Sequence, residues 1–595
     1  MGLRFLFTLA LLVATALARA EWSIPPGEAA DPPKPARLAA LRSIAAADGW
    51  PVVEAAARDA ALAAYARDRL EAADSWLLVA RWARLFGEKQ GGFVSRWIDA
   101  LNAARLGHPN MRRRYDVPDA PLSACVSPQL GAWLLENRAF SRAFFDLVSP
   151  YDYMPAVLGV LDTLHAADVS LFSNYTSLAL AIAVVYDVPP PPGWPHGQVD
   201  ARLVPRRLPD PLTAFRFWTD ADRQNRTLHR IARLEAGELK FVVDVSAPFP
   251  ELVWAQQSLR LPLSQLAKAY DAVAYRTDRL QAGEMNWAEN DYALPTILAR
   301  GGICVDQAYF AAQAGKARGV PTLIFRGAGL DGRHAWFGFL DGQRRWQMDA
   351  GRYAEQRYVS GVAFDPQTWA DISDHEISFL AEGFRLLPTF AQARIHALMA
   401  AELLELGRAA DAVRAARKAV NYERRHLAAW QTLLAAQQPA GADLREREAT
   451  LREAAAAFQR YPDLNVRFLN EAIGLLRARG ETSAADNEER LLARKFQKRR
   501  SDLSVAQLAE TLERAVATQP PAEQVRAYNR VVDQYGHGAG MEFFDRIVQP
   551  FVLRLAGQGR KTEARQALER ARRVLRPEDG RQLDQELRAL AASVK

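Results

Sequence analysis

From about residue 38 to residue 187, apolar residues recur at the spacing of one helix face. Ala56-Ala57, Leu62-Ala63, Ala66 and Leu70 form one stripe, and Trp76, Val79-Ala80 and Trp82-Ala83 continue it. The period predicts an α-helical region, 21–188. It breaks at Pro189 to Pro192, with Pro195, Pro205, Pro209 and Pro211 following. Such a segment cannot be helix interior and is expected to form a long linker or an irregular wall. Within the connecting stretch 189–262, Glu238 to Val245 has strand composition. Helices are expected again near Leu263 to Tyr275, and the region 386–595 returns to the helical period.

The C-terminal region repeats itself. Gly407, Ala412 and Ala419 have the same spacing as Gly559, Ala564 and Ala571. Small residues at these places let two antiparallel helices approach closely. With Trp430 opening a following helix and Pro577 after the second copy, the pattern resembles the tetratricopeptide repeat. A proline near Arg424 is missing, and the copies lie far apart. The repeat is compatible with a peptide-binding groove or with helix packing alone.

The N-terminus changes the picture of where the chain works. Met1 to Arg4 is a short positive segment, Phe5 to Leu17 is uncharged and mainly apolar, and Ala18-Arg19-Ala20 matches a cleavage site. This pattern predicts a secretory signal peptide, 1–20, with a mature chain from Glu21. Loss of Arg4 and Arg19 would lower the formal charge from +7 to +5. The expected location is periplasmic or secreted, and the Ala- and Arg-rich usage fits a bacterial periplasm. No other segment is apolar for the length of a membrane span. The basic residues are dispersed over helix faces, so no nucleic-acid surface is expected.

A length of 595 residues implies two to four domains. Two cysteines exclude a disulfide framework and a Cys-rich zinc site. The histidines are scattered without metal-ligand spacing, and the glycines at 327, 329 and 332 do not open a helix as a nucleotide loop would. No metal and no cofactor is expected.

The chemistry concentrates between 295 and 353. In Gly301-Gly302-Ile303-Cys304-Val305-Asp306, two glycines end one helix and the next starts at the cysteine. A cysteine in a first helical turn meets unpaired N–H groups and the positive dipole end, which are expected to lower its pKa. Thr322 to Phe325 and Arg333 to Leu340 read as strands, and Asp341-Gly342 as a type I′ hairpin turn. A two-residue turn pairs Leu340 with Gln343, and therefore His334 with Asp349. It puts Trp336 and Gln347 on the face of His334, and Ala335, Phe337, Phe339, Trp346 and Met348 on a core face. Cys304 would be the nucleophile, His334 its proton acceptor and Asp349 the group orienting the imidazole.

These motifs, with Gly319-Val320-Pro321, His334-Ala335-Trp336 and Trp346-x-x-Asp349 in order, resemble the transglutaminase-like superfamily over roughly 265–355. The resemblance implies a papain-like α+β core, here at 263–380 between two mainly α-helical regions. It also implies amide chemistry through a Cys thioester, by hydrolysis or by transfer to an amine, on a protein or peptide such as a cell-wall peptide. Trp287 and Tyr292 are possible oxyanion or substrate donors and Trp336 a possible cleft wall, with core packing as the alternative for each, and Asp306 is a structural carboxylate at the helix start. Cys125 reads as a small buried residue, with a bond to Cys304 as the alternative. The competing function is an inert core whose helical repeats bind a protein partner.

Overall fold

The computed structural model describes residues 22–87, 98–103, 114–354 and 357–594. The expected signal peptide lies outside the described residues. The architecture is α+β: mainly helical, with a five-stranded antiparallel sheet.

The chain divides into two compact units. The first runs to Pro189 and includes Asp210–Arg216 and Leu234–Lys240. It is all helical among its described residues. Trp50–Ala66 turns a different face inward from the one read in the sequence: Val53, Ala56, Ala57, Ala60, Ala61 and Ala64 are buried, whereas Leu62, Ala63 and Leu70 are half-buried and Ala66 is exposed. In Leu70–Gly87 the expected Trp76, Val79, Ala80, Trp82 and Ala83 are buried. Cys125 is half-buried in the 3-10 turn Leu122–Cys125, and its thiol is free.

The second unit comprises Pro190–Pro209, Phe217–Arg233 and everything from Phe241 onward. Its sheet contains β1 (Thr322–Ala328), β2 (Arg333–Leu340), β3 (Trp346–Ala350), β4 (Val362–Phe364) and β5 (Asp371–Ser373), in the order β3-β2-β1-β4-β5. The Cys304–Ala317 helix packs on this sheet. Ala308 and Ala311 meet Leu323, Phe325, Ala335 and Phe337 in one core. Gly315 permits this approach, because a Cβ there would come within 2.5 Å of Thr322 Cγ2. At the helix end Lys316 Nζ enters the interior. It donates to the carbonyls of Phe241 (2.7 Å) and Thr322 (2.9 Å) and to the Asp244 carboxylate. Burial pushes the Asp244 carboxyl up to about 6, with Lys316 pulling the other way.

Two sequence expectations change, and of the linker or wall expected around Pro189–Pro211 the wall is the one that forms. Glu238 to Val245 is not a strand: Ala236–Val243 is a helix, begun by the Glu238 carboxylate on the N–H of Glu235 (2.9 Å). Leu239, Phe241, Val242 and Val243 are all buried, so the helix has no polar stripe to give it a period. The stretch Leu263 to Tyr275 holds only a 3-10 turn, Leu263–Gln265, and the short helix Lys268–Asp271. The proline-rich segment is a folded wall. The Arg206 guanidinium donates to the carbonyls of Pro192, Trp194 and Val199, at 2.5, 2.8 and 2.7 Å.

The helices after 386 belong to the same compact unit as the sheet. Gly407 and Gly559 lie at positive φ (72° and 77°) in tight turns between successive helices. Ala412, Ala419, Ala564 and Ala571 are fully buried. A third copy uses Gly480 (φ 80°), buried Ala485 and, in place of the last alanine, Leu492. Among the described residues no helix is long and apolar enough to cross a membrane.

The buried ion pair yields a stability prediction. Lys316→Met should strand the Asp244 carboxylate and cost about 3–5 kcal/mol in urea unfolding. A loss below about 1 kcal/mol would mean the pair behaves as a solvated one.

Candidate active site

The site begins with two glycines. Gly301 has φ +73°, and a Cβ on it would come within 2.5 Å of the Ala274 carbonyl oxygen. Gly302 lies beside the Ala274–Arg276 backbone, with its N–H on Ala274 O (2.9 Å) and its carbonyl accepting from Arg276 N–H (2.9 Å). A Cβ on Gly302 would meet Asp306 Cβ at 2.3 Å. The missing side chain leaves room for Asp306 to fold back over the helix start, where its carboxylate accepts the N–H of Ile303 at 2.9 Å.

Asp306 is buried and serves three donors. Besides Ile303, it accepts from Tyr292 Oη at 2.7 Å and from Arg279 Nη1 at 3.1 Å. Burial raises its pKa, and these donors offset part of the rise. The network continues outward. Tyr292 Oη lies 2.9 Å from His196 Nε2, and His196 Nδ1 accepts the N–H of Gln198 at 3.3 Å. A proton on Nε2 satisfies both contacts: His196 donates to Tyr292, and Tyr292 donates to Asp306. Burial, reinforced by Arg206, pushes the His196 imidazole down to about 3, which keeps it neutral.

Cys304 opens the helix Cys304–Ala317. The backbone N–H groups of Ala335, Val305 and Cys304 itself favour the thiolate of Cys304. Ala335 directly follows His334 on β2, so the helix start is docked beside the histidine. Cys304 and His334 both line one cavity of about 840 Å³. The proline-rich wall supplies Trp194 and His196 to that cavity, and Tyr275, Met285 and Tyr353 close in near the thiol. The helix start does not lower the thiol pKa, contrary to expectation. Desolvation by the surrounding core pushes it up, and the N–H groups only moderate the rise.

His334 is held on two sides. Its Nε2 lies 2.6 Å from the carbonyl oxygen of Gly351, an acceptor, so Nε2 carries the proton and Nδ1 is the basic nitrogen. Its ring stacks on Tyr353, with centroids 4.2 Å apart, and on Tyr358 at 5.5 Å. Beneath it, Tyr270 Oη donates to the Ala335 carbonyl at 2.9 Å.

The structure does not pair His334 with Asp349. The hairpin loop has three residues, not two. Asp341 N–H donates to Arg345 O (2.9 Å) and Arg344 takes a left-handed conformation, φ 57°. The Asp341 carboxylate stabilises this turn by accepting the N–H groups of Gln343 (2.8 Å) and Arg345 (2.9 Å). Leu340 therefore faces Trp346 instead of Gln343, and an irregularity between Phe337 and Phe339 shifts the pairing again, to Phe337 with Ala350. Asp349 ends up largely exposed (73%), bonded to Arg352 Nη1 at 2.7 Å.

Of the two readings of Trp287, Tyr292 and Trp336, the buried one holds. Trp336 is fully buried, and its Nε1–H donates to Met348 O (2.8 Å), which makes it core and not cleft wall. Trp287 Nε1–H is spent on Asp291 O (2.7 Å), and Tyr292 on Asp306; neither lines the cavity. Tyr353, Tyr358, His196 and the Gly351 carbonyl were not foreseen, since no motif signals a residue that acts by stacking or through its backbone. Among the described residues no group of three His, Cys, Asp or Glu side chains could hold a metal ion.

No protein-family model, no curated protein and no solved structure matches this chain.

The two carboxylates separate experimentally. Asp306→Ala leaves Arg279 buried without its partner and should cost about 3–5 kcal/mol in urea unfolding. Asp349→Ala should stay within about 0.5 kcal/mol. Equal losses would contradict the placement of the two side chains.

Proposed function

We propose that this chain is a thiol enzyme with a transglutaminase-like core, acting on an amide bond of a protein or peptide through a thioester on Cys304. The observation that carries the reading is that Cys304, at its helix start, and His334, on β2, line one cavity together with Ala335. A volume of about 840 Å³ is in the range of ligand sites and accommodates a short peptide segment. The ordered motifs around Cys304, His334 and Trp346 support the family assignment.

The chemistry follows from the environment. Burial holds the thiol protonated at neutral pH, so a standing ion pair is not the resting state. His334 Nδ1 takes the proton as the sulfur attacks the amide carbonyl. The Cys304 N–H, at the start of the helix, then donates to the oxyanion. The imidazolium then gives its proton to the leaving nitrogen, the C–N bond breaks, and the acyl group remains on sulfur. Water or an amine attacks the thioester, and the thiol is restored. The Gly351 carbonyl takes the orienting role expected of Asp349 and fixes the imidazole tautomer. An exported chain would meet its substrate in the cell envelope.

The test is covalent capture. The full chain, exposed to a cell-envelope extract and quenched in acid, should carry an acyl adduct on Cys304 by mass spectrometry. Cys304→Ala should carry none. An unmodified Cys304 in folded protein, with the alanine variant still retaining an envelope protein, would instead favour the inert scaffold.

The orienting group gives a second prediction. His334→Ala should slow adduct formation about 10²- to 10⁴-fold, the usual worth of a general base. Asp349→Asn should cost less than about tenfold. A loss of about 10⁴-fold in Asp349→Asn, as for a triad carboxylate, would return Asp349 to the imidazole.

A further inference from the structure

His334 lies near the end of β2 that β3 does not cover. The β2–β3 pairing ends at Phe337 with Ala350. On its other side β2 pairs with β1 as far as Ala328 with Arg333. Beyond that point the β1–β2 loop is gripped by the C-terminal helices. Met541 N–H donates to Gly329 O (2.9 Å), and Leu583 N–H donates to Asp331 O (3.1 Å). The contact at Gly540 is close: φ is +66°, and a Cβ there would lie 2.5 Å from Gly329 O.

Arg333, one residue before His334, is the centre of this grip. Its backbone N–H donates to Gln582 Oε1 at 2.8 Å. Its guanidinium forks onto Asp545, with Nη2 on Oδ1 (2.5 Å) and Nε on Oδ2 (3.3 Å), while Nη1 reaches Glu586 Oε1 at 2.8 Å. Asp545 belongs to a π-helical turn, Phe544–Val548, and Glu586 to the last helix, Gln582–Ser593. A partly exposed ion pair contributes little to stability by itself. A bidentate pair with a second carboxylate does fix position. Gly580, Arg581, Gln582 and Gln585 also line the cavity, so the start of the last helix and the turn before it form part of its rim.

We propose that Arg333 is a positioning residue: its hold by Asp545 and Glu586 sets His334 relative to Cys304 and makes the site depend on the C-terminal helical region. The proposal rests on the thiol–imidazole reading of the site. The C-terminal helices are then a working part of the enzyme, and a ligand that shifts them shifts the imidazole.

The test is the alkylation rate of Cys304 by iodoacetamide in the full chain, read peptide by peptide to separate it from Cys125. Near neutral pH the reaction draws on His334; in alkali the thiol ionises unaided. The double variant Asp545→Asn/Glu586→Gln should react roughly tenfold slower near neutrality, a fraction of the cost of displacing a reacting group by an ångström. Its alkaline rate should match the parent's, which also shows that the fold is intact. Arg333→Lys should recover part of the neutral rate that Arg333→Ala loses. If the double variant matches the parent while His334→Ala is slow near neutrality, this inference fails and the proposed function stands. If His334→Ala itself matches the parent, both fail. Neutral and alkaline rates that fall together would mean general loosening and would also overturn the positioning role.

Discussion

A single buried carboxylate organises the site. Asp306 draws the Ile303 N–H, the Tyr292 hydroxyl and the Arg279 guanidinium to the first turn of one helix. Burying a charge in this way is costly unless every lone pair is used. Here the glycine at 302 clears the space, and the donors come from two segments that otherwise have no reason to meet. The result is a helix start that cannot shift without breaking several bonds together. Cys304 sits two residues away, on that fixed base.

The rest of the cavity is built outward from this point. Through Tyr292 and His196 the network reaches the proline-rich wall, whose own shape is held by the carbonyls around Arg206. On the opposite side Cys304 packs against the core that contains Ala335 and Trp336 of β2. The histidine is fixed by a carbonyl, a tyrosine stack and, one residue earlier, the arginine grip of the C-terminal helices. Cys304 and His334 are thus both carried by regular elements, which hold geometry better than loops do. The desolvation that rigidifies the thiol also keeps it protonated, which makes the proposed chemistry depend on a neighbouring base.

The helix start was legible because its logic is local: two glycines, a cysteine and an acid at the third helical position read directly as a turn and a half-cap. The helical regions were legible for the same reason, through their apolar period and the Gly407 and Gly559 turns. The third copy escaped because Leu492 stands where the others have alanine. What failed was tertiary. The helix Ala236–Val243 is buried on every side, so its composition imitates a strand. The hairpin was misjudged because the Asp341 side chain stabilises a three-residue loop, and a left-handed Arg344 is not signalled as a glycine would be. That one turn moved Asp349 away from His334. The thiol pKa was misjudged because the dipole of a helix is visible in sequence, whereas the core that desolvates it is not.

The claim on which the account turns is the proposed proton transfer from the Cys304 thiol to Nδ1 of His334, with the Nε2 proton held by the Gly351 carbonyl. Nitrogen NMR of ¹⁵N-histidine-labelled full chain reads this directly. The predicted result is the Nε2–H tautomer near neutral pH, unchanged in Asp349→Asn, with an Nδ1 resonance that moves when Cys304 is replaced by alanine. A proton on Nδ1, or an Nδ1 resonance indifferent to Cys304, would contradict it.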